Sequence, residues 1–287
     1  PLQVYDIDHD GIDEVITAKN FEILILDGRT GEVKKRAKTP ISDEEDETLI
    51  GVPFNRYAFD RLNPDGIRIA NFSGNKYPSD ILLKDRYCRV YALNKDLELM
   101  WKFRNEKNTG HFPYSFDIDG DGRDELFCGY NLIDHDGKLI WTLPISEDHT
   151  DEIVVGRFMP ESDEAYFALA SGTEGFILAD FKGNIIKKDR IDHAQRVSVG
   201  NFISEKSGFE FCVTNFWGHQ CIIYLYDCYG NPIWEMENGL NGNILAPVNW
   251  TGDGRDLILL NAHEEKGGLI NGDGVQVVAF PEDGHPT

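Results

Sequence analysis

One segment, made of a short apolar strand, a polar turn and a second apolar strand, recurs along the chain. Its copies start near residues 4, 69, 115, 155, 199 and 247, and most are followed by a hairpin with a Gly, Asn or Asp turn. Four strands in a period of about 45 residues are typical of a β-propeller blade. The sequence therefore predicts an all-β fold, a β-propeller with six four-stranded repeats.

The sixth repeat ends with VQVVAF, which the pattern places as its third strand. The chain opens directly on a first strand, so no leading strand is available to complete that last blade. A propeller that does not close leaves sheet edges exposed. We therefore expect residues 1–287 to form a single propeller domain, truncated at one or both ends, from a natural ring of about seven or eight blades.

Two copies of the turn between the first and second strands carry a full set of acids. Carboxylates at alternate positions of a tight turn converge on one point, and the glycine in each turn permits the bend. Six or seven oxygen ligands suit a hard cation, so we expect Ca²⁺ here, although an exposed acidic turn that binds nothing is the alternative. Such turns lie away from the usual ligand funnel of a propeller, which indicates a structural role. The expected ligands are Asp6, Asp8, Asp10 and Glu14 in one turn and Asp117, Asp119, Asp121 and Glu125 in the other.

Unusual side chains concentrate in the connections expected on the opposite side. His111, His149 and His193 precede the first strands of successive repeats. Each histidine has an alternative structural role, capping a neighbouring turn, but three at equivalent places favour a ligand site, and imidazole suits acid–base chemistry near neutral pH. The connections between second and third strands add Arg86, Tyr87, Glu174, Trp217, His219 and Lys266.

Charge restricts the partners. The chain has 50 acidic and 28 basic residues, a net charge of -22. This balance argues against nucleic acid and anionic membranes, whose binding needs basic surfaces, and no apolar run approaches the roughly 20 residues that span a bilayer. A secreted or cell-surface protein, acting as a monomer, fits better. Five cysteines without a CxxC pair indicate buried free thiols rather than a disulfide framework.

The two complete turns, the DIDGDGRDELFCGY segment that follows His111 and the DHDGKLIW hairpin resemble the calcium-dependent rhamnogalacturonan lyases of the propeller type. The resemblance is best over residues 108–202 and is closer still to uncharacterised bacterial relatives. Similar turns (FG-GAP repeats) occur in integrin-type adhesion propellers. The resemblance implies bound calcium and β-elimination on a uronate-containing, pectic or rhamnogalacturonan-type polysaccharide.

If the chain is such a lyase, each candidate has a role. His149 or His193 is the expected base, with His111 in an equivalent place, and Tyr87 is the expected acid. Arg86, Arg196 and Lys266 are candidates for binding the substrate carboxylate, while Trp217 offers a platform for a sugar ring. His219 and Glu174 are further candidates for binding the substrate. Two alternatives stay open: a glycoside hydrolase with paired carboxylates, such as Glu174 with Asp148 or Asp192, and a non-catalytic propeller that binds carbohydrate or protein.

Overall fold

The protein is all-β in the computed structural model, which describes residues 1–41, 60–85, 88–105, 109–145, 149–217, 222–237, 244–261 and 267–281. The chain divides into two compact units, Pro1–Pro144 and Ile145–Thr287. Each unit contains three four-stranded antiparallel sheets. Over the described ranges every regular element is a strand, and none is a helix that could cross a bilayer.

The first unit holds twelve strands in three sheets. The first sheet is β1 (Leu2–Tyr5), β2 (Glu14–Lys19), β3 (Glu22–Asp27) and β4 (Val33–Lys38). The second is β5 (Gly66–Ala70), β6 (Asp80–Lys84), β7 (Arg89–Leu93) and β8 (Leu99–Arg104). The third is β9 (Tyr114–Phe116), β10 (Glu125–Cys128), β11 (Asn131–Ile133) and β12 (Leu139–Thr142).

The second unit repeats this plan. The fourth sheet is β13 (Glu152–Gly156), β14 (Tyr166–Ala170), β15 (Phe176–Asp180) and β16 (Ile185–Asp189). The fifth is β17 (His193–Gly200), β18 (Glu210–Trp217), β19 (Ile222–Tyr226) and β20 (Pro232–Glu237). The sixth is β21 (Ile244–Val248), β22 (Leu257–Asn261), β23 (Gly268–Ile270) and β24 (Gln276–Ala279).

Every sheet is a meander whose strands pair in chain order, which is the arrangement of a propeller blade. Within the second unit the first strands of successive sheets lie side by side, β13 against β17 and β17 against β21. In the first unit β1 lies against β5 in the same way. The predicted fold class, an all-β propeller with six four-stranded repeats, is confirmed.

The expectation that the sixth repeat stops after its third strand is wrong. VQVVAF contributes β24, the fourth strand, which pairs with β23. The third strand, β23, is only three residues long, too short for its apolar alternation to be visible in the sequence. The sixth sheet therefore has four strands. The expectation of further blades can then no longer be argued from an incomplete last blade.

The core lies between neighbouring sheets of the same unit. Second and third strands are buried on both faces in most sheets, whereas fourth strands are half-buried or exposed at most positions. Phe176, for example, stacks on Tyr226 of the next sheet at 4.5 Å between ring centroids. The thiol prediction is confirmed for Cys88, Cys128, Cys212 and Cys228, which are buried and free; Cys221 lies outside the described residues.

The first strand of each sheet separates two loops of different character. His193 opens β17, and the turn that begins at Asn201 follows the last residue of that strand. The same order holds in the fourth sheet, where His149 precedes β13 and the turn from Arg157 follows it. In each sheet the histidine and the polar turn thus lie at opposite ends of one strand.

Candidate functional site

The two acidic turns of the first unit are built alike. Asp6 accepts hydrogen bonds from the backbone N–H groups of Asp10 and Gly11, and Asp117 accepts from Gly120 and Gly122. Gly11 and Gly122 have φ of 90° and 87°, values that a residue with a Cβ rarely adopts. The aspartates that open the turns therefore hold the backbone in place as well as being potential metal ligands.

The glutamates at the ends of these turns are buried caps. Glu14 accepts a hydrogen bond from the N–H of Ile7 at 3.1 Å, and Glu125 accepts one from Ile118 at 2.8 Å. Burial, followed by nearby aspartates, raises the pKa of Glu125 to about 7 although the backbone hydrogen bond opposes this rise. A cation placed beside such a buried carboxyl group favours its ionised form and so lowers its pKa.

A lysine occupies the first turn. Nζ of Lys34 on β4 lies 2.7 Å from Asp8, 2.8 Å from Glu14 and 3.4 Å from Asp10. Hydrogen bonds to Asp8 and Glu14 raise the pKa of Lys34 above its usual value. Three of the four carboxylates expected to hold calcium therefore surround an ammonium group. Oxygen atoms of Asp6, Asp8 and Asp10 also lie within 4.8 Å of one another, so a metal ion and Lys34 would compete for this turn.

The turn of the third sheet also groups oxygen ligands that could hold a metal ion. Oxygen atoms of Asp117, Asp119 and Glu125 lie within 4.8 Å of one another, and Glu125 is equally close to ligand atoms of Asp134 and His135. Asp121, the remaining predicted ligand, accepts a hydrogen bond from the N–H of Arg123. The donor set is rich in carboxylate oxygen, which suits a hard cation such as Ca²⁺.

The second unit brings two predicted histidines to one carboxylate. Nε2 of His193 lies 3.1 Å from Oδ2 of Asp151, and Nε2 of His149 lies 3.6 Å from the same atom. The two imidazole centroids are 5.8 Å apart. Asp151 is 2% exposed, whereas the rings are 24% (His149) and 13% (His193) exposed. A buried acid thus lies beneath two rings that solvent reaches.

Backbone pairing positions these three residues. Asp151 extends the β13–β14 ladder by donating its N–H to Ala170, and Ala194 exchanges hydrogen bonds with Gly172 of the fourth sheet. This bridge fixes the start of β17, where His193 stands, against the fourth sheet. The register of β17 shifts next to His193, and Gln195 donates to Oδ1 of Asp151 at 2.7 Å. The bulge thus places a second side chain on the same carboxylate.

The charge of Asp151 is stabilised by its partners. Burial alone would raise the pKa of this carboxyl, but the adjacent imidazoles of His149 and His193 outweigh burial and lower it. Asp151 is therefore ionised at neutral pH. A carboxylate held beside an imidazole fixes the orientation and tautomer of the ring.

An aromatic platform stands next to His193. Trp217 ends β18 and pairs in register with His193, and 59% of its surface is exposed. Its ring packs edge-on against Phe216 at 5.0 Å. Arg196 lies three residues further along β17 and is half-buried. The structure thus brings together His149, His193 and Trp217 of the predicted set, with Arg196 on the same strand.

Of the remaining predicted site residues, the structure describes His111 and Glu174 but not the others. His111 belongs to the first unit, in the loop before β9, where its ring is 6.4 Å from that of Phe112. Glu174 is buried after β14 and forms an ion pair with Lys188. The predictions for Arg86, Tyr87, His219 and Lys266, and that for Asp148, lie outside the described residues.

Sequence reasoning missed three residues. Asp151 was visible two positions after His149, but nothing in the sequence indicated that a histidine from the next repeat shares it. Gln195 reaches Asp151 only because of the bulge in β17. Lys34 lies 20 residues after Glu14, and no spacing rule connects a fourth strand to the first turn of its own sheet.

Comparison with known proteins identifies the fold. No family model and no curated protein matches the chain. Among solved structures, a rhamnogalacturonan lyase of Bacillus licheniformis is 18% identical with a TM-score of 0.63, over 94% of this chain and 54% of that one. The V. cholerae biofilm matrix protein Bap1 is 13% identical with a TM-score of 0.70, over 97% and 69%. BamB from Moraxella catarrhalis is 12% identical with a TM-score of 0.61, over 96% and 71%.

These similarities lie at the level of the fold. The chain spans about half the length of the rhamnogalacturonan lyases that it matches. At this identity the shared property is a β-rich propeller architecture, common to the lyases, to Bap1 and to BamB. What any of them does is a hypothesis for this chain, to be argued from its own residues.

Proposed function

We propose that the protein acts on a uronate-containing polysaccharide of the pectic or rhamnogalacturonan type, as a lyase that works by β-elimination. The observation that carries this proposal is the pair of imidazoles on Asp151, with an exposed tryptophan beside them. A base, an oriented charge and a sugar-sized aromatic surface at one place are what the reaction requires. The structural likeness to rhamnogalacturonan lyases is consistent with it.

His193 is the proposed base. With Nε2 directed at Asp151, its Nδ1 carries the lone pair that accepts the proton on C5 of the uronate. The electron pair of that C–H bond forms the C4–C5 double bond, the C4–O bond breaks, and the leaving oxygen takes up a proton from solvent water. Trp217 stacks on a sugar ring next to the base, which holds C5 within reach.

The substrate carboxylate must be neutralised for the C5 proton to become acidic. The buried carboxylate of Asp151 contacts both rings and stabilises positive charge placed beside it. In the proposed reaction, His149 in its protonated form and Arg196 on β17 would supply positive charge next to the anionic substrate. This local charge is needed because the chain as a whole has a net charge of -22.

Calcium has a structural role in this proposal. Asp117, Asp119, Asp121 and Glu125 would hold it in the third sheet, where buried and crowded carboxylates gain from a bound cation. The ion would stabilise the turn between β9 and β10. In the first sheet Lys34 lies among the expected ligands Asp8, Asp10 and Glu14 and competes with a metal ion for them.

A carbohydrate-binding propeller without catalysis is the second candidate, favoured by the exposure of Trp217. The same surface would then bind glycan without cleaving it. The glycoside hydrolase has less support, because Glu174, one of its proposed acids, is buried in an ion pair with Lys188. A hydrolase needs carboxyl groups that flank an accessible sugar bond.

The test is an assay of the full chain against pectic and neutral polysaccharides. A lyase produces unsaturated uronate, seen as new ultraviolet absorbance, while a hydrolase produces reducing ends without it. We expect absorbance on a uronate substrate and a loss of about 10²–10⁴-fold in kcat/KM for His193→Ala. His149→Ala should also lose activity if it neutralises the substrate.

The matched control is His9→Asn. His9 lies in the first acidic turn with φ of 59°, a conformation that asparagine tolerates, so the variant removes an imidazole without straining the backbone. It should keep full activity. Glycan binding without either product would make the protein a binding module, and full turnover by both His193→Ala and His149→Ala would place the chemistry elsewhere.

A further inference from the structure

One position of the blade is a bulge in all six sheets. Where the fourth strand pairs with the third, the register shifts once and leaves one residue of the fourth strand without a partner. In the first sheet, for example, Ile25 pairs with Lys35 and Leu26 with Val33, which leaves Lys34. The six equivalent residues are Lys34, Met100, Ile140, Ile186, Ile233 and Val277.

Lys34 differs from the others in chemistry. The other five bulge residues are apolar, and the first sheet is the one with a lysine at this position. The first sheet is also one of the two with a complete acidic turn. In the other, the third sheet, the bulge residue is Ile140, which is half-exposed and brings no charge. The two acidic turns thus differ in whether the bulge of their own sheet supplies a cation.

The contacts of Lys34 are those of a bound cation. Its ammonium group approaches oxygens of three carboxylates, Asp8, Glu14 and Asp10, at 2.7, 2.8 and 3.4 Å. Glu14 is fully buried, and its other oxygen accepts the N–H of Ile7. A buried carboxylate needs a positive partner or protonation, and Lys34 supplies the former.

We propose that Lys34 is the built-in counter-ion of the first turn and takes the place of a divalent metal there. The ammonium group neutralises Asp8 and Glu14 without a metal, so this turn is stable and does not bind calcium while Lys34 is present. This role of Lys34 does not depend on lyase activity or on calcium binding at the Asp117 turn, and it holds even if neither of these is observed.

The experiment counts calcium ions by isothermal titration of the metal-free full chain. Lys34→Met removes the ammonium group and keeps much of the side-chain volume. We expect it to bind one more equivalent of Ca²⁺ than the parent. Lys35→Met is the matched control, because it removes the neighbouring charge, whose amino group faces Asp96 instead of the turn. It should bind the same number as the parent.

Melting temperatures give a second measurement. In EDTA, Lys34→Met should melt below the Lys35→Met control, and calcium should remove this difference because the ion binds only the native turn. An equal calcium count in Lys34→Met and the parent, or no rescue by calcium, overturns the proposal.

A third variant covers the case in which Lys34→Met does not fold. Asp8→Asn in the parent removes one partner of Lys34 and keeps the lysine. Its calcium count should equal that of the parent, and its melting temperature should fall by the same amount with calcium and with EDTA. Loss of one equivalent of calcium in Asp8→Asn would show that the parent binds a metal at this turn, which also overturns the proposal.

Discussion

Nε2 of His193 lies 3.1 Å from Oδ2 of Asp151. The carboxylate is buried and its second oxygen accepts a hydrogen bond from Gln195, so its position is fixed from two sides. Its neighbours lower its pKa despite burial. Asp151 therefore orients the ring of His193, and burial and Gln195 fix Asp151 in turn, as a positioned base requires.

Replacing Asp151 with asparagine tests this positioning role. Asp151→Asn keeps the shape and the hydrogen bond to Gln195 but removes the charge that fixes the tautomers of the rings. In the proposed lyase we expect kcat to fall by about 10²-fold with KM nearly unchanged. Steady-state kinetics on a uronate polysaccharide measure both.

A purely structural Asp151 would behave differently. Its replacement would lower the melting temperature and the amount of active protein without separating kcat from KM. Gln195→Glu, which places a second carboxylate beside Asp151, provides a companion variant at the same contact. It should destabilise the folded protein because the two like charges repel, which reports on the contact independently of turnover.

Trp217 should affect binding rather than chemistry. Truncation by Trp217→Ala removes the exposed surface on which a sugar ring stacks, so we expect affinity for the polysaccharide to fall about 10-fold, or about 1.4 kcal/mol. Trp250→Ala is the matched control: this tryptophan is equally exposed, at 60%, but follows the opposite end of a first strand. Equal losses in the two variants would contradict a sugar platform at Trp217.

Local features of the fold could be predicted from the sequence. The glycines and aspartates of the turns act within a few residues, as when Asp117 accepts the N–H groups of Gly120 and Gly122. Such contacts leave a fixed spacing that repeats with each blade. Strand β23 has only three residues, too few to show an alternating apolar pattern, and the sequence analysis did not recognise it as a strand.

The candidate site depends on contacts that no local spacing encodes. His149 and His193 could be selected because each precedes a first strand. The carboxylate that they share, Asp151, could not be predicted, because its position depends on how β13 packs against β17 and on the bulge at Gln195. The same holds for Lys34, which reaches the first turn across β3 from the far side of its sheet.

Calcium should stabilise the third sheet. EDTA should lower the melting temperature of the parent, and Asp119→Asn should abolish that effect by removing a ligand of the crowded group around Glu125. Ile140→Lys should abolish it too, because it places an ammonium group at the position that Lys34 has in the first sheet. An unchanged EDTA effect in both variants would contradict a metal site at this turn.

Glu210 should make stability depend on pH. This buried residue begins β18 and accepts the N–H groups of Phe202 and Ile203, as Glu125 does for Ile118 in the third sheet. Burial raises the pKa of Glu210 above its usual value, although those hydrogen bonds oppose the rise. A group with a raised folded pKa contributes stability that is complete below its unfolded pKa, about 4.3, and is lost as pH rises through its folded pKa.

The variant Glu210→Gln removes this ionisation and keeps an oxygen that accepts both N–H groups. The unfolding free energy of the parent should therefore fall, relative to that of Glu210→Gln, as pH increases from about 4 towards neutral. Denaturant melts at several pH values measure the difference. Glu164→Gln, at an exposed carboxylate before β14, is the control and should follow the parent at every pH. A constant difference between Glu210→Gln and the parent across this range would mean that Glu210 ionises equally readily in the folded and unfolded chains.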